Sequence, residues 1–428
     1  MIEIFSIVTF IPLLLLFFSF PLNCFNYQKF HLKELNFFET VLINIVLHLN
    51  IFLLTSFLNF NLKYIFICYV TFGVLFFILY IKKYIQYFIY NYLYFILFFV
   101  VCYSFFTEIA QNAHMTYDGV DHWFYKVQNF YQGGSVDNLN NLSFSHYPHL
   151  GTYIWAFFWK NSFLNYEYFG RFFYVFIFLI CIFSTISSQK EFSDTEKYFL
   201  ILGAIIISTD FYLFGGYQEY LIFFSLVSYV HIFLLLSKNN ILFLQILLLL
   251  IANIILWTKQ EGFFYYIILS LVFNIHYKQE RTKKILFIVL YSIVLLLFIS
   301  SKFYFFGGFR LTESVSFYEF LINFDLSIFL NKIFLIIKYF FIGFFKHPMW
   351  ILIILALILL IKEKKYLLNN IFFVTFLILT FGFVISVYIF TKFDLQWLLS
   401  VTLSRLIFPL SGFMMYLVLH VLKIYKNK

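Results

Sequence analysis

The sequence predicts an all-α polytopic membrane protein. Of its 428 residues, 63% are hydrophobic and only 11% are charged, and the mean hydropathy is +0.91. A water-soluble globular domain carries about 25% charged residues, so this chain is too apolar to be one. Its apolar residues also come in runs of about 15 to 24, each long enough to cross or nearly cross a hydrocarbon core of about 30 Å as a helix.

These runs predict a bundle of about thirteen transmembrane helices. No polar gap is long enough for a soluble domain, so we expect one membrane domain over residues 1–428. The first run lacks a basic leading region and a small-residue cleavage site, which indicates a retained span and not a removed signal peptide. The predicted spans are 2–22, 38–60, 64–81, 87–106, 166–187, 198–213, 217–236, 241–257, 262–276, 285–303, 348–361, 369–390 and 406–422.

Residues 107–165 form the longest polar interruption, and we expect an extracytoplasmic loop there that contains short amphipathic helices. A loop that is dense in ionisable groups and held by a membrane bundle favours an active site. The ionisable and aromatic candidates in it are Asp118, Asp121, His122, Trp123, Lys126, His146, Tyr147 and His149.

The basic residues predict the orientation, because cytoplasmic turns of membrane proteins are enriched in Lys and Arg. With the N-terminus outside, the loop at 107–165 faces the periplasm or exterior of what we expect to be a bacterial inner membrane. The formal charge of +9 is then explained by orientation, and nucleic-acid binding is not expected. The turns predicted to be cytoplasmic hold Lys29, Lys33, Lys82, Lys83, Lys190, Lys197, Lys238, Lys278, Arg281, Lys283, Lys284, Lys362, Lys364, Lys365, Lys423, Lys426 and Lys428.

A second extracytoplasmic loop is expected over residues 304–347. Residues 328–345 carry polar side chains among apolar ones, which predicts an amphipathic helix along the membrane surface. Other polar stretches fall on the same predicted side, at 210–219, 257–262, 310–325 and 394–405. A charge at membrane depth costs about 2.5–3.5 kcal/mol, so their grouping at one face predicts a site for a charged headgroup.

Several of these stretches, in this order, resemble motifs of bacterial integral-membrane glycosyltransferases of the GT-C superfamily, in the group related to dolichyl-phosphate-mannose and aminoarabinose transferases. The stretches are YDGVDHWFYKVQNFY and SHYPHLGTYIWAFFW in the large loop, then GGYQEYLIF, WTKQEGF and WLLSVTLSRLIFPL. The resemblance covers residues 117–410 and implies a GT-C-like bundle. It also implies transfer of a sugar from a polyprenyl-phosphate donor to a glycolipid, polysaccharide or protein acceptor.

Such a transfer needs a carboxylate to take the proton of the acceptor hydroxyl and cations to hold the departing phosphate. Asp118 is the candidate general base, and Asp121 is a second candidate catalytic acid. The candidates for binding the donor phosphate are Lys259, Arg405 and Lys126. The residues expected to organise the site are His122, Trp123, His146, Tyr147, His149, Glu219 and Glu261.

Each of these residues also has a plainer explanation. The two aspartates can be solvated loop acids, and the aromatic residues can be anchors at the membrane surface. Lys126 can extend its ammonium group to water, and Lys259 can form an inert ion pair with Glu261. The histidines and aspartates could hold a divalent metal, but their spacing fits no standard site, so we assign no metal ligand.

Two other functions stay open on the sequence. O-antigen ligases and polymerases also combine many spans with a large periplasmic loop, although theirs usually comes late in the chain. A transporter or flippase of lipid-linked or polar solutes is the alternative from another class. Transporters tend to show inverted repeats and polar residues near the membrane midplane, whereas this chain shows no clear repeat and gathers its charges at one face.

Overall fold

A computed structural model describes residues 2–21, 35–112, 114–142, 144–238, 241–277, 281–306, 308, 325–362 and 370–426. These residues form helices joined by turns, with no β-strand among them. The α-helices are α1 Ile2–Phe18, α2 Phe37–Phe57, α3 Leu62–Leu79, α4 Ile81–Tyr90, α5 Tyr92–Asn112, α6 Tyr125–Gln132, α7 Leu150–Lys160, α8 Tyr168–Ser187, α9 Asp194–Ser208, α10 Glu219–Lys238, α11 Leu242–Leu256, α12 Gly262–His276, α13 Arg281–Phe306, α14 Leu326–Lys346, α15 Met349–Lys362, α16 Ile371–Ile389, α17 Leu395–Leu398 and α18 Ser404–Lys426.

The chain is a multi-pass membrane protein. Nine helices within the described ranges are long and apolar enough to cross a membrane, namely α2, α3, α5, α8, α10, α13, α14, α16 and the continuous stretch Leu395–Lys426. The helices α1, α11, α12 and α15 are also apolar but shorter. Every predicted run overlaps a helix, so the helical bundle is confirmed, while the number of crossings stays a prediction.

The predicted surface helix at 328–345 corresponds to α14, which has 21 residues and meets the same criterion of length and composition as the other spans. Its position along the membrane surface therefore stays a prediction. Several predicted features lie outside the described residues: the basic positions Lys29, Lys33, Lys278, Lys364, Lys365 and Lys428, and residues 310–324 of the second loop.

The chain divides into two compact units, which are described separately. Unit 1 comprises Met1–Ile205 and Asp210–Gln260, and unit 2 comprises Ile206–Thr209 and Glu261–Lys428. The expectation of one membrane domain over the whole chain stays a prediction.

Helix α8 forms the centre of unit 1. It is apolar on all sides, which is typical of a helix surrounded by others, and α2, α5, α7 and α10 pack around it. Its phenylalanines are fully buried and stack on neighbouring helices: the rings of Phe172 and Phe106 of α5 lie 4.1 Å apart and nearly parallel. The abundant Phe residues thus fill the interior of this unit as well as covering its outer surface.

The helices of unit 1 have two chemically different ends. At one end, which we call the loop end, α2 and α11 terminate, α8 and α10 begin, and residues 114–142 and 144–160 are packed. At the other end, Glu39 in the first turn of α2 lies 3.1 Å from His231 near the end of α10. Asn36 donates a hydrogen bond to Ser187 at the end of α8 there. Helix α8 runs from one end to the other, and the predicted active-site segment packs against its first residues through α7.

Unit 2 is built on α18, which packs against α15 and, more lightly, α14 and α16. The rings of Phe376 in α16 and Phe413 in α18 stack at 3.7 Å, and the indole N–H of Trp350 in α15 donates to the carbonyl oxygen of Ile407 at 3.1 Å. Helices α13 and α14 expose most of their apolar side chains, as expected of surfaces that face lipid.

Candidate functional site

The segment around Asp118 is fixed to a distant glycine turn. Thr116 donates both its backbone N–H and its hydroxyl to the carbonyl oxygen of Gly215, at 2.9 and 3.1 Å, and the N–H of Gly119 donates to the Thr116 hydroxyl at 3.2 Å. A Cβ atom on Gly119 would lie 2.3 Å from the Gly215 carbonyl oxygen, so only glycine fits there. Asp118, partly exposed, is thereby held beside the GGYQE motif.

A π-helix, Gly119–Phe124, begins directly after Asp118 and continues into α6. Such π-helical turns are rare and frequently occur at functional sites. Helix α6 ends at Gly133, whose φ of +93° is the left-handed conformation that glycine adopts readily at helix ends.

The glycine turn at residues 215–216 contacts the second half of the loop segment. Gly216 has a φ of +106°, and a Cβ atom there would lie 2.8 Å from the Trp155 ring. The Tyr174 hydroxyl lies 3.0 Å from both Gln218 Oε1 and the carbonyl oxygen of Gly151. The GGYQE motif is thus packed between the Asp118 segment and the start of α7.

A third motif, WTKQEG, joins the same end of unit 1. The backbone N–H of Leu150 donates to the carbonyl oxygen of Trp257 at 3.0 Å. Two residues later, the Lys259 ammonium lies 3.0 Å from Glu219 Oε1. These two residues are only 7% and 1% exposed, so this is a buried ion pair. Lys259 therefore pairs with Glu219, forty positions earlier; a pair with Glu261 was the plainer alternative that the sequence offered.

Lys126 is also buried, so its ammonium does not extend to water, which was the plainer alternative of the sequence. Its ammonium donates to the carbonyl oxygens of Tyr147 and Ser145, at 2.6 and 3.5 Å, and lies 5.9 Å from the centre of the Trp123 ring. Lys126 thus ties the turn at 144–147 to α6. Its role as a phosphate ligand stays a prediction.

The predicted histidines serve packing and hydrogen bonding. His149 is fully buried, with Nε2 2.8 Å from the Ser56 hydroxyl at the end of α2. His122 packs on Phe144 at 4.0 Å, and His146 stacks on Tyr147 at 4.8 Å. Within the described ranges, no three His, Cys, Asp or Glu side chains are grouped so as to hold a metal ion.

Asp121 interacts with a nearby phenol. Its carboxylate is hydrogen-bonded to the exposed Tyr117 hydroxyl and raises the pKa of Tyr117, because a negative charge beside a phenol disfavours the phenolate. Asp118 contributes to this rise more weakly. The two aspartates therefore have different surroundings, and Asp118 is the one beside the glycine turn.

Arg405 and Glu261 belong to unit 2. Arg405 is 8% exposed and follows a π-helix, Leu399–Leu403. Both it and Glu261 act electrostatically on the buried Tyr388 hydroxyl, which lies 2.7 Å from the Thr402 hydroxyl. In the part of the chain that is described, one π-helix thus begins directly after the candidate base, and another ends two residues before the candidate phosphate-binding arginine.

Sequence reasoning missed a polar cluster at the start of α8. Arg171 forms a two-point ion pair with Glu167, both hydrogen bonds being 3.0 Å long, and Glu167 also accepts the indole N–H of Trp155 at 2.7 Å. Arg171 further donates to the carbonyl oxygen of Phe214 at 3.3 Å. The signal was present, because Glu and Arg four positions apart face each other on a helix. This cluster holds α7 and the glycine turn against α8.

In comparisons with models of known protein families, with curated proteins and with solved structures, none matched this chain.

Proposed function

We propose that this chain is a membrane-embedded glycosyltransferase. It moves a sugar from a polyprenyl-phosphate donor to an extracytoplasmic glycolipid, polysaccharide or protein, with Asp118 as the general base. The loop end of unit 1 faces the periplasm of a bacterial inner membrane. The described lysines near the opposite end support this orientation, because cytoplasmic turns are enriched in Lys and Arg; they are Lys82, Lys83, Lys190 and Lys197.

The observation that carries the proposal is the meeting of three separated motifs at the loop end of unit 1. Thr116 binds Gly215, Leu150 binds Trp257, and Lys259 pairs with Glu219. A purely structural loop needs neither a partly exposed acid next to a buried glycine turn nor a buried lysine–carboxylate pair at the same end of the helices, and ionisable groups in membrane proteins mark functional sites by default. The arrangement offers an acid and a cation on one rigid support.

The reaction uses these groups as follows. The Asp118 carboxylate takes the proton of an acceptor hydroxyl, whose oxygen forms a bond to the anomeric carbon of the sugar. The bond between that carbon and the phosphate oxygen breaks, and its electron pair leaves on the phosphate. The added negative charge is stabilised by a cation; Lys259 is the candidate in unit 1, and Arg405 is a separate candidate in unit 2.

Lys259 is the better cation candidate within unit 1. Its ammonium has three N–H donors, so an arriving phosphate can share it with Glu219. Lys126 instead donates to two backbone carbonyl oxygens of the turn it fixes. Arg405 can bind a phosphate through two parallel hydrogen bonds, and its place after a π-helix in unit 2 supports that role.

The test is the variant Asp118→Asn in purified protein reconstituted into vesicles. Loss of a general base lowers the rate by about 100-fold or more, measured as radiolabelled sugar transferred from a polyprenyl-phosphate hexose into a new covalent product. Asp137→Asn is the matched control, because Asp137 is an exposed acid of the same segment, and it should transfer at the wild-type rate.

Two results would contradict the proposal. Wild-type transfer by Asp118→Asn would remove the base assignment. Labelled donor that crosses the vesicle membrane unchanged, without a new product, would instead identify a transporter or flippase.

A further inference from the structure

Trp123 carries a buried indole N–H, which is a hydrogen-bond donor. The side chain lies in the π-helix after Asp118 and is 1% exposed. Its Nε1 atom makes no hydrogen bond within the part of the chain that is described. A buried N–H without a partner costs free energy, and native proteins contain few of them.

The other buried tryptophans of similar exposure show that this fold can satisfy an indole. Trp155 donates to Glu167 Oε1 at 2.7 Å, and Trp350 donates to the Ile407 carbonyl oxygen at 3.1 Å. Both are at most 1% exposed. The open donor on Trp123 is therefore a local exception.

The surroundings of Trp123 are suited to an oxygen-rich ligand. Trp123 lies in the π-helix that begins directly after Asp118, five residues along the chain from this aspartate. The Lys126 ammonium is 5.9 Å from the indole ring, and the Tyr147 ring is 5.4 Å away. The Trp123 N–H donor, the Lys126 ammonium and the Asp118 carboxyl thus belong to one short stretch of chain that comprises the π-helix, the residue before it and α6.

We propose that the indole N–H of Trp123 donates a hydrogen bond to an oxygen of the bound sugar–phosphate donor. This inference rests on the proposed function and assigns part of its donor subsite. The acceptor is either a phosphate oxygen or a sugar hydroxyl, which share the same hydrogen-bond chemistry.

The test replaces Trp123 by β-(3-benzothienyl)alanine, which keeps the shape of the ring but has sulfur in place of N–H. The dissociation constants of polyprenyl phosphate and of polyprenyl-phosphate hexose are measured for wild type and variant in lipid nanodiscs. The thermal midpoint of the ligand-free protein is measured in parallel. Trp123→Phe, assayed on its folded fraction, is the second variant.

We expect the dissociation constant for polyprenyl-phosphate hexose to rise about tenfold, the effect of losing one hydrogen bond to a ligand, while the ligand-free midpoint does not fall. Equal weakening of both lipids assigns the bond to the phosphate, and weakening of the glycosylated lipid alone assigns it to the sugar. The same replacement at Trp350 is the control. There the N–H already has a partner, so the midpoint should fall without a change in affinity.

Unchanged affinity of the Trp123 variants for both lipids would overturn the inference and leave the proposed function intact. If the wild-type protein bound neither lipid, the proposed function would fail, and the inference with it.

Discussion

The buried ion pair between Lys259 and Glu219 allows a quantitative prediction. Lys259→Met removes the ammonium that lies 3.0 Å from Glu219 Oε1, in a place where the two residues are 7% and 1% exposed. Removing one partner of a buried pair costs about 3–5 kcal/mol, because the other charge stays buried without its counter-charge. We therefore expect the thermal midpoint to fall by about 6 °C or more for a unit of this size.

The assay is thermal denaturation of the purified protein in detergent. It compares the single variants Lys259→Met and Glu219→Gln with the double variant that carries both substitutions. The double variant should regain most of the loss, because replacing both charges of a buried pair is often nearly neutral. Lys63→Met is the matched control, since Lys63 is an exposed lysine at the same end of unit 1. It should change stability by about 0.5 kcal/mol at most.

Two outcomes would refute this reasoning. If Lys259→Met lowers the stability of the protein no more than Lys63→Met does, the ion pair is not buried away from water as described. The two charges are not coupled if the loss in the double variant equals the sum of the single losses. A double variant that regains stability but transfers no sugar would separate the structural role of Lys259 from its proposed role at the phosphate.

Two further predictions concern the backbone and pH. Gly133→Ala places a Cβ at a positive φ with no atom within 4 Å of it, and it should lower the free energy of unfolding by about 1–2 kcal/mol. Gly216→Ala should lower it more, because its Cβ also meets the Trp155 ring at 2.8 Å. Equal losses of stability in thermal denaturation would show that the Trp155 ring moves aside at no cost. Hydrogen bonds from the first residues of α14 hold the pKa of Asp325 below its ordinary 3.8. Their stabilisation is therefore complete above that value and is lost as pH falls through the lowered pKa. Protection of the amides in the first turn of α14, measured against their exchange rate in an unstructured peptide at the same pH, should then fall. Asp325→Asn, which still caps the helix, should remove this loss of protection at low pH.

The sequence by itself determined the helical bundle and the order of its helices. Apolar run length is a local property, because each residue in lipid must satisfy its backbone hydrogen bonds within its own segment. The predicted run at 262–276 therefore coincides with α12. The ends were less certain where polar residues begin a helix, and α9 starts at Asp194, four positions before the predicted run.

Only the tertiary structure decided which side chains meet. Spacing offered only Glu261 as a nearby partner of Lys259, whereas the packing of α10 beside α11 brings Glu219, forty positions earlier, to within 3.0 Å of it. Spacing also left Lys126 free to reach water, whereas the fold buries it against two carbonyl oxygens. Contacts between residues far apart in the chain depend on how the helices pack. A helix that is apolar on most sides has no single apolar face, so its sequence does not indicate which helix packs against which side.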